Sequence, residues 1–435
     1  MMLKESPTKP LMLANFAKKH GLACVLMLLP SLSQAETLQQ LLSSALLDHP
    51  AIQAQRSQKE ASEAGVESAN WQFYPTPSVA VQNTYSSASD RAYQGDFAAA
   101  TLGLQQPLWT GGRLTAGLKK AEAGVISSNA ALEEARWQIA LQVVQSYGDW
   151  LAAYLKTQVY DNSMATYVHM RELVKRRVEQ GVSAESDLVL VVSRLESVAA
   201  DSAVANAQKS TALARLEQLL GRRVDSTTLS ATVAAPRQVN ADLQTLLDQA
   251  LSVNPTIQKA KAQTTVQEAV IAERRADLSP QVYVRAEQQF GNVSFANAGA
   301  DSRVFIGVTS NFGAGLSTLT NINGARAQYE AALEEVKSQS RTVNAQVIAD
   351  FTLAAASEIR LVALKESQQA SEEIFKSYDR QFLAGRRTWQ DTMNSVRDLI
   401  NIGMQVADTQ SSQILSTWRL AIYTQGVTAV VENGQ

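Results

Sequence analysis

The stretch "LQQPLWTGGRLTAGLKKAEA", residues 104–123, decides the fold because it changes from a strand pattern to a helix pattern within a few residues. Leu102, Leu104 and Leu108 fall on one face of an extended segment that ends at Trp109, as expected for a strand with one apolar face. Gly111 and Gly112 follow, and glycine permits the sharp change in backbone direction that such a passage needs. From Arg113 to Gln180 the chain contains no proline, which predicts one very long helix.

A second passage of this kind, "IGVTSNFGAGLSTLTNINGARA", occupies residues 306–327 and belongs to an internal repeat. "ALLDHPAIQ" at 45–53 corresponds to "ALSVNPTIQ" at 250–258, and the correspondence continues along the long helical segments without a change of spacing. Similarity at a fixed period indicates a duplicated structural unit. We therefore predict a first structural repeat at 36–240 and a second at 241–435.

The beginning of the chain has the features of a secretory signal peptide. Four lysines precede the apolar run "GLACVLMLLPSL", and small residues lead to Ala35. The run is too short for a membrane anchor, so we predict a signal peptide at 1–35, cleaved before Glu36. The single cysteine, Cys24, lies inside it. The exported chain would therefore contain neither a disulfide nor a thiolate metal site.

Composition argues against two classes of function. The formal net charge of the 435 residues is −2, which provides no basic surface for nucleic acid. The exported chain keeps only His49 and His169, and it has neither a serine nucleophile motif nor a phosphate-binding loop. His49 corresponds to Asn254 in the second repeat, which argues against catalysis. We predict no enzyme activity, no cofactor and no metal.

Each repeat shows the same order of predicted elements. A helix comes first, at 38–72 and at 243–277, and a proline follows it. Two segments with alternating polarity come next, within 78–109 and within 281–312, and a polar, turn-rich connection joins the two segments of each pair. Long helices complete each repeat. The pattern predicts an α+β chain with four strands and helical rods.

Four strands are too few for a barrel, because outer-membrane barrels begin at about eight strands and an open edge in lipid leaves backbone groups unsatisfied. The barrel would therefore be shared between chains, with the apolar strand faces towards lipid. The polar faces would line the lumen, with Gln82, Thr84, Arg285, Glu287, Thr309 and Asn311. Tyr74, Trp109 and Phe312 would form an aromatic girdle, for which ordinary strand packing is the alternative.

At this point the sequence resembles the TolC-like outer-membrane factor family over essentially the whole exported chain. The resemblance rests on the two repeats, on "QQPLWTGGR", and on two helix-turn motifs, "RRVEQGVSAESDL" at 176–188 and "YDRQFLAGRRTWQDTMN" at 378–394. It implies a homotrimer with a shared twelve-stranded β-barrel and a long periplasmic α-helical coiled-coil barrel. It also implies an equatorial region at 222–245 and in the C-terminal part of the chain.

The resemblance also implies a location and partners. The protein would lie in the outer membrane, in contact with lipid, and most of it would extend into the periplasm. A periplasmic adaptor, or membrane fusion protein, and an inner-membrane transporter of the ABC type would complete the export system. In this setting Trp109 would mark the membrane boundary, and Gly111 and Gly112 would let the strand turn into the tunnel helix.

The two glycine motifs are expected at the far periplasmic ends of the helical hairpins. Exposed residues there are candidates for docking the adaptor, with a plain solvated turn as the alternative: Gly181, Val182, Ser183, Ala184, Gly385, Arg386 and Arg387. By resemblance, these ends also close the tunnel.

The residues expected to close the tunnel follow from the same resemblance. Arg387 would be the linking cation, with Ser186 and Asp187 as its partners across helices. Asp391 would form a ring of three carboxylates in the pore. One helical turn farther, where related channels often have a second aspartate, this chain has Asn394, which lowers the negative charge at the mouth.

The segment "AGRRTW", residues 384–389, resembles the branch of the family that serves type I secretion, in particular the export of large adhesins. We therefore predict a passive outer-membrane conduit for protein export, gated at its helix ends. The alternative is the channel of a pump for drugs or other small molecules. A periplasmic coiled-coil structural protein is the remote alternative, and the amphipathic strands argue against it.

Overall fold

The computed structural model describes residues 36–83, 98–231, 242–291, 301–310, 313–314 and 317–432. Five predictions lie wholly or partly outside the described residues. They concern the signal peptide at 1–35 and the sheet residues Thr84, Asn311 and Phe312. Residues 232–241 of the predicted equatorial region also lie outside them.

The described chain has the predicted order of helices and strands in both repeats. The helices are α1 (Leu38–Asp48), α2 (Pro50–Trp71), α3 (Arg113–Glu179), α4 (Glu185–Leu220), α5 (Leu243–Val253), α6 (Pro255–Ala276), α7 (Ser317–Leu383), α8 (Trp389–Gln425) and α9 (Val427–Glu432). The strands are β1 (Thr76–Asn83), β2 (Ala98–Trp109), β3 (Gln281–Phe290) and β4 (Asp301–Thr309). Among the described helices, none combines the length and the apolar character needed to cross a bilayer.

The first helix predicted in each repeat is divided into two helices, so the single helices predicted at 38–72 and 243–277 were wrong. His49 ends α1 and caps α2, and its side chain accepts a hydrogen bond from the backbone amide of Ala51 at 3.2 Å. Pro50 then occupies the first position of α2, where its missing amide proton costs no helical hydrogen bond. Asn254 caps α6 in the same way.

In the part of the chain that the structure describes, the four predicted strands form one antiparallel sheet in the order β1-β2-β3-β4. Val79 pairs with Leu102 and Ala286 pairs with Val304, so apolar residues of all four strands share one face. Val79 and Val304 are 73% and 75% exposed in a single chain. β1 and β4 are the edges of the described sheet. Closure in lipid therefore requires strands from further chains.

The strand limits differ slightly from the predicted ones. β1 begins at Thr76, before the predicted start at 78, and Thr76 pairs with Gln105 of β2. β4 is described as Asp301–Thr309, and Thr309 pairs with Gln281, the first residue of β3. The last two residues of the predicted segment, 311–312, lie outside the described residues.

Two helices of 67 residues, α3 and α7, run the length of the helical part. At 1.5 Å per residue each is about 100 Å long. On the side of the sheet, α3 packs against α2 and α6, and α6 packs against α7. On the other side, α3 packs against α4 and α8, and α8 packs against α7. Each chain therefore contributes two rows of four helices. The row next to the sheet has the order α2-α3-α6-α7, and the row on the other side has the order α4-α3-α8-α7.

The largest apolar core surrounds the middle of α3. Tyr147 and Trp150 are completely buried there among residues of α1, the ends of α4 and α8, and α9. Val224 and Leu229, from the segment after α4, belong to the same core. The Tyr147 hydroxyl donates a hydrogen bond to the backbone oxygen of Ser230, which fastens this segment to the helix. These contacts place the described part of the predicted equatorial region halfway along α3.

Candidate functional site at the junction and the helix tips

Two glycines with positive φ angles build the passage from β2 to α3. Gly111 has φ +61°, and Gly112, which caps the start of α3, has φ +88°. A Cβ atom added to Gly111 would lie 2.1 Å from the Cβ atom of Ser279, in the turn that precedes β3. The missing side chain of Gly111 therefore lets the turns of the two repeats pack against each other.

Exposed aromatic side chains gather at the helix side of the sheet. Trp109 and Tyr74, two of the predicted girdle residues, are exposed there. Sequence reasoning missed Trp71 and Phe73, which are also exposed. The ring centroids of Trp71 and Tyr74 are 5.3 Å apart. The signal that could have revealed them is their position just before the proline that leads into β1. Aromatic residues of outer-membrane barrels occupy such positions at the membrane–water boundary.

The polar face of the sheet carries paired charges. Arg285 lies 2.5 Å from Glu287 on β3, and Arg303 lies 2.7 Å from Asp301 on β4. Glu287 and Arg303 are cross-strand neighbours, so the two pairs share one face. Gln82 belongs to the same face through its pairing with Ala99. This face is therefore hydrophilic, and its fixed charges compensate each other.

We call the turns at 181–184 and 385–388 the tips. At the first tip Gly181 has φ +71°, its amide donates to the Val178 oxygen at 2.9 Å, and the Val182 amide donates to the Arg177 oxygen at 2.8 Å. This pair of bonds is a Schellman motif, which closes a helix end with a left-handed glycine. Gly385, with φ +69°, closes α7 with the same pair of bonds. The repeat is thus preserved in the hydrogen bonds of the tips.

Most of the predicted docking residues are exposed at these tips. The exposed residues are Gly181, Val182, Ala184, Gly385 and Arg386, whereas Ser183 and Arg387 are half-buried. They are therefore accessible in the single chain.

Arg387 is held in place by its own hairpin. Its guanidinium carbon lies 3.8 Å from the ring centroid of Tyr378, and its Nη1 atom lies 3.6 Å from Asp391 Oδ2. The Thr388 hydroxyl donates to Asp391 Oδ2 at 2.8 Å, and it accepts from the Asp391 amide. The hydrogen bond from Thr388 and the nearby Arg387 charge hold the pKa of Asp391 below its usual range. Asp391 is therefore a fixed negative charge at the start of α8.

The other predicted gate residues lie near the tips but not against Arg387. Ser186 is exposed and Asp187 is half-buried, both in the first turn of α4. Asn394 is exposed, one turn beyond Asp391 on α8. Within one chain the partners found for Arg387 are Asp391 and Tyr378 instead of Ser186 and Asp187. The expected link across helices is therefore not formed inside a single protomer.

The structure adds contacts that the sequence did not reveal. Besides the Tyr378 ring under Arg387, the Arg177 guanidinium carbon lies 5.1 Å from the ring centroid of Phe382. Phe382 is buried in an apolar core formed by the ends of α3, α4, α7 and α8. No sequence signal pairs Arg177 with Phe382, because the residues lie in different repeats at positions that do not correspond.

The arrangement consists of non-covalent contacts that can form and break. Among the residues that the structure describes, no group of three or more histidine, cysteine, aspartate or glutamate side chains could hold a metal ion. The tips carry the charged side chain of Asp391 and two arginines, Arg177 and Arg387, that stack on aromatic rings at the end of the helical hairpins.

We compared the chain with known protein families and with individual proteins. The family model described as "Outer membrane efflux protein" matches residues 41–222 and 246–421, one range inside each predicted repeat. The outer membrane protein TolC of Vibrio cholerae serotype O1 is 20% identical over 395 residues, which are 89% of this chain and 90% of that protein.

Solved structures show the same fold. The outer membrane protein VceC of Vibrio cholerae superposes with a TM-score of 0.75 at 17% identity, over 89% of this chain and 96% of that chain. The open state of the MtrE outer membrane channel of Neisseria gonorrhoeae superposes with a TM-score of 0.72 at 17% identity, over 90% of this chain and 89% of that chain.

The matches include both repeats, the sheet and the long helices. TolC-like channels are homotrimers that work with adaptor proteins and inner-membrane transporters. The relatives are channels of the outer membrane with a large periplasmic portion, and they are not enzymes. This chain therefore belongs to the outer membrane efflux protein family, as an outer-membrane channel protein.

Proposed function

We propose that this chain is the outer-membrane channel of a type I protein secretion system. A periplasmic adaptor and an inner-membrane transporter of the ABC type would work with it, and the cargo would be a large adhesin-like protein. The observation that carries the proposal is the tip segment "AGRRTW" at 384–389 and its resemblance to the secretion branch of the family. In this segment the Arg386 side chain is exposed, and the Arg387 guanidinium stacks on the Tyr378 ring.

The transport mechanism that we propose is passive conduction with a gated entrance. Polar contacts at the tips hold the helical hairpins together at rest, and the charges of Arg387 and Asp391 lie next to the entrance. Adaptor and transporter dock on the exposed tip residues, among them Val182 and Arg386. Docking opens the channel only if the partners bind the open state more tightly than the closed state. Cargo then crosses periplasm and outer membrane in one conduit.

The test compares cells that lack this chain with wild-type cells in two assays. The first is the set of proteins in the medium and on the cell surface, and the second is the accumulation of a fluorescent dye. We expect the loss of one large exported protein and no change in dye accumulation. Increased dye with an intact set of exported proteins would contradict protein secretion and would support a small-molecule pump.

Replacing Asp391 with alanine should reduce the preference of the channel for cations. The proposed ring places three of these carboxylates around the entrance, and charged rings determine which ions pass. We expect the ratio of cation to anion permeability to fall by roughly half or more. Because the pKa of Asp391 is lowered, the wild-type preference should persist to more acidic pH than an ordinary aspartate would allow. The measurement is the reversal potential of purified trimer in planar bilayers under a salt gradient.

The matched control for this change is Glu334→Ala. Glu334 is an exposed acid on α7, and it lies close to the sheet end of that helix, far from the tips. The substitution Glu334→Ala removes the same charge as Asp391→Ala, but it should leave the ratio of cation to anion permeability unchanged. If Asp391→Ala behaves like Glu334→Ala, Asp391 does not face the entrance. The variant Asn394→Asp should move the ratio in the opposite direction, because it adds a carboxylate one turn away.

A further inference from the structure

A polar cavity of about 430 Å³ lies where the sheet meets the long helices. Each strand contributes lining residues, among them Thr76, Gln105, Tyr283 and Thr309. The cross-strand register puts these four residues on the polar face of the sheet, the face that carries Arg285. When the apolar face contacts lipid, the polar face borders the lumen. The cavity therefore lies on the path through the channel, at the passage from the barrel to the helical tunnel.

One cation in this cavity lacks a partner. Of the described residues that line the cavity, Arg113 alone carries a charge, and its Nε atom is buried without a hydrogen-bond partner in the described part of the chain. The acidic residues at the end of α6 already have cationic partners. Glu273 Oε2 lies 2.9 Å from Lys120 Nζ, and Asp277 Oδ2 lies 3.7 Å from Arg274 Nη1. A buried donor without an acceptor is costly, so this guanidinium favours the binding of an anion.

We propose that Arg113 and the polar groups around it bind an oxyanion, such as a phosphate or a carboxylate. A guanidinium presents its N–H donors in one plane, and two of them match two oxygens of such an anion. Neutral donors surround it, namely the side-chain amides of Gln72, Gln105 and Gln281 and the hydroxyl of Tyr283. The described lining contains no carboxylate that would attract a metal cation instead.

The floor of the cavity is buried, which strengthens binding. Thr110 and Leu114 line the cavity and are 9% and 7% exposed. The Thr110 hydroxyl accepts a hydrogen bond from the Leu114 amide at 3.4 Å, so it is already engaged as an acceptor. An anion above this floor is partly shielded from water, and a charge-assisted hydrogen bond is stronger there than in bulk solvent. Because the cavity faces the lumen, the anion would be a free ion or an acidic group of the cargo.

Only the first repeat carries this arginine. Arg113 is the first residue of α3, and Ser317 is the first residue of the equally long α7. A homotrimer therefore has three such cations around the lumen, one from each chain. The described arginines farther along the polar face, Arg285 and Arg303, are paired with acids and add no net charge. Rings of arginine or lysine occur in pores that pass anions or phosphate. The site follows from the junction and does not depend on the cargo class proposed above.

The test follows inorganic phosphate by phosphorus NMR during titration with the purified trimer in detergent. The wild-type trimer should broaden the phosphate signal and should saturate at one site per chain. Arg113→Ser introduces the residue of the second repeat and should weaken binding at least about tenfold, because it removes the charge-assisted hydrogen bonds. Arg113→Lys keeps the charge but loses the planar pair of donors, so its affinity should be intermediate.

The matched control is Arg326→Gln. Arg326 lies near the sheet end of α7 and is exposed, and its Nη1 atom donates to the Asn323 side-chain oxygen of the same helix at 3.5 Å. Its replacement removes one positive charge per chain near the same end of the molecule, and it should bind phosphate like wild type. Migration of the unheated trimer on a gel verifies assembly of each variant.

A hexaglutamate peptide added in competition distinguishes the two sources of the anion. Displacement of phosphate by the peptide would assign the site to acidic groups of the cargo, and lack of displacement would assign it to free phosphate. Three outcomes would overturn the site: no broadening with the wild-type trimer, equal binding by wild type and Arg113→Ser, or equal losses in Arg326→Gln and Arg113→Ser. Secretion does not enter the measurement, so failure of the proposed function would be recognised separately.

Discussion

Replacing Gly111 with alanine should prevent most of the protein from assembling in the outer membrane. The added Cβ atom would lie 2.1 Å from the Cβ atom of Ser279. Neither atom can rotate away, so the backbone at the junction has to move. Overpacking of this kind costs about 1–3 kcal/mol, and the positive φ of +61° adds roughly 1–2 kcal/mol for a residue with a side chain. The measurement is the amount of trimer that resists dissociation in unheated membrane samples.

The neighbouring glycine supplies the matched control. Gly112 also has a positive φ, but an added Cβ atom would have no heavy atom within 4 Å. Gly112→Ala should therefore show only the backbone cost and should still assemble. Adding Ser279→Gly to Gly111→Ala should restore part of the trimer, because it removes the other atom of the clash. Equal amounts of trimer from Gly111→Ala and Gly112→Ala would show that the clash with Ser279 does not limit assembly.

The sequence predicted the strands and long helices well because their signals are local and strong. The alternation around Leu102 and Val304, and the proline-free run after Arg113, follow from residues close in the chain. The break between α1 and α2 was missed although Pro50 was visible in the sequence. A helical pattern continues on both sides of it. His49 and Pro50 form a cap that ends one helix and starts the next without a loop.

The candidate site was predictable only in part, because its turns depend on local sequence whereas its side-chain contacts depend on the packing of helices. The turns at Gly181 and Gly385 depend on the local conformation of glycine, and the sequence shows them directly. The partners of the charged side chains depend on how four helix ends converge. Arg387 lies beside Tyr378 because a Schellman turn reverses the chain between α7 and α8. The position of Arg387 in the sequence does not show whether its side chain contacts Tyr378 of the same hairpin or a residue of another helix.

Replacing Arg419 with methionine should destabilise the protein strongly at neutral pH. Arg419 Nη2 lies 3.3 Å from Asp350 Oδ1, where α8 packs against α7. The Asp350 side chain is 3% exposed, and its other oxygen accepts a hydrogen bond from Gln346 at 3.1 Å. Removing one partner of a buried ion pair leaves an uncompensated charge, which costs about 3 kcal/mol. The urea concentration that unfolds the purified trimer should fall clearly.

The destabilisation should depend on pH in a defined direction. Burial raises the pKa of Asp350, although the Gln346 hydrogen bond and the Arg419 charge lower it in part. Because the folded state holds this proton more tightly than the unfolded state, stability falls as pH rises from the ordinary pKa of aspartate to the raised one. Without Arg419 that window extends to higher pH. Burial also raises the pKa of Tyr423, the other ionisable neighbour, to about 12, so Tyr423 stays neutral throughout.

The first repeat supplies the control for this prediction. Arg215 occupies the position that corresponds to Arg419, but it is 64% exposed and lies 4.0 Å from Asp149. Exposed pairs of this kind contribute little to stability, so Arg215→Met should unfold at nearly the wild-type urea concentration at every pH. Adding Asp350→Asn to Arg419→Met should recover most of the loss, because the unpaired charge disappears. If Arg419→Met is equally unstable at acidic and neutral pH, its effect comes from lost packing and not from the buried carboxylate.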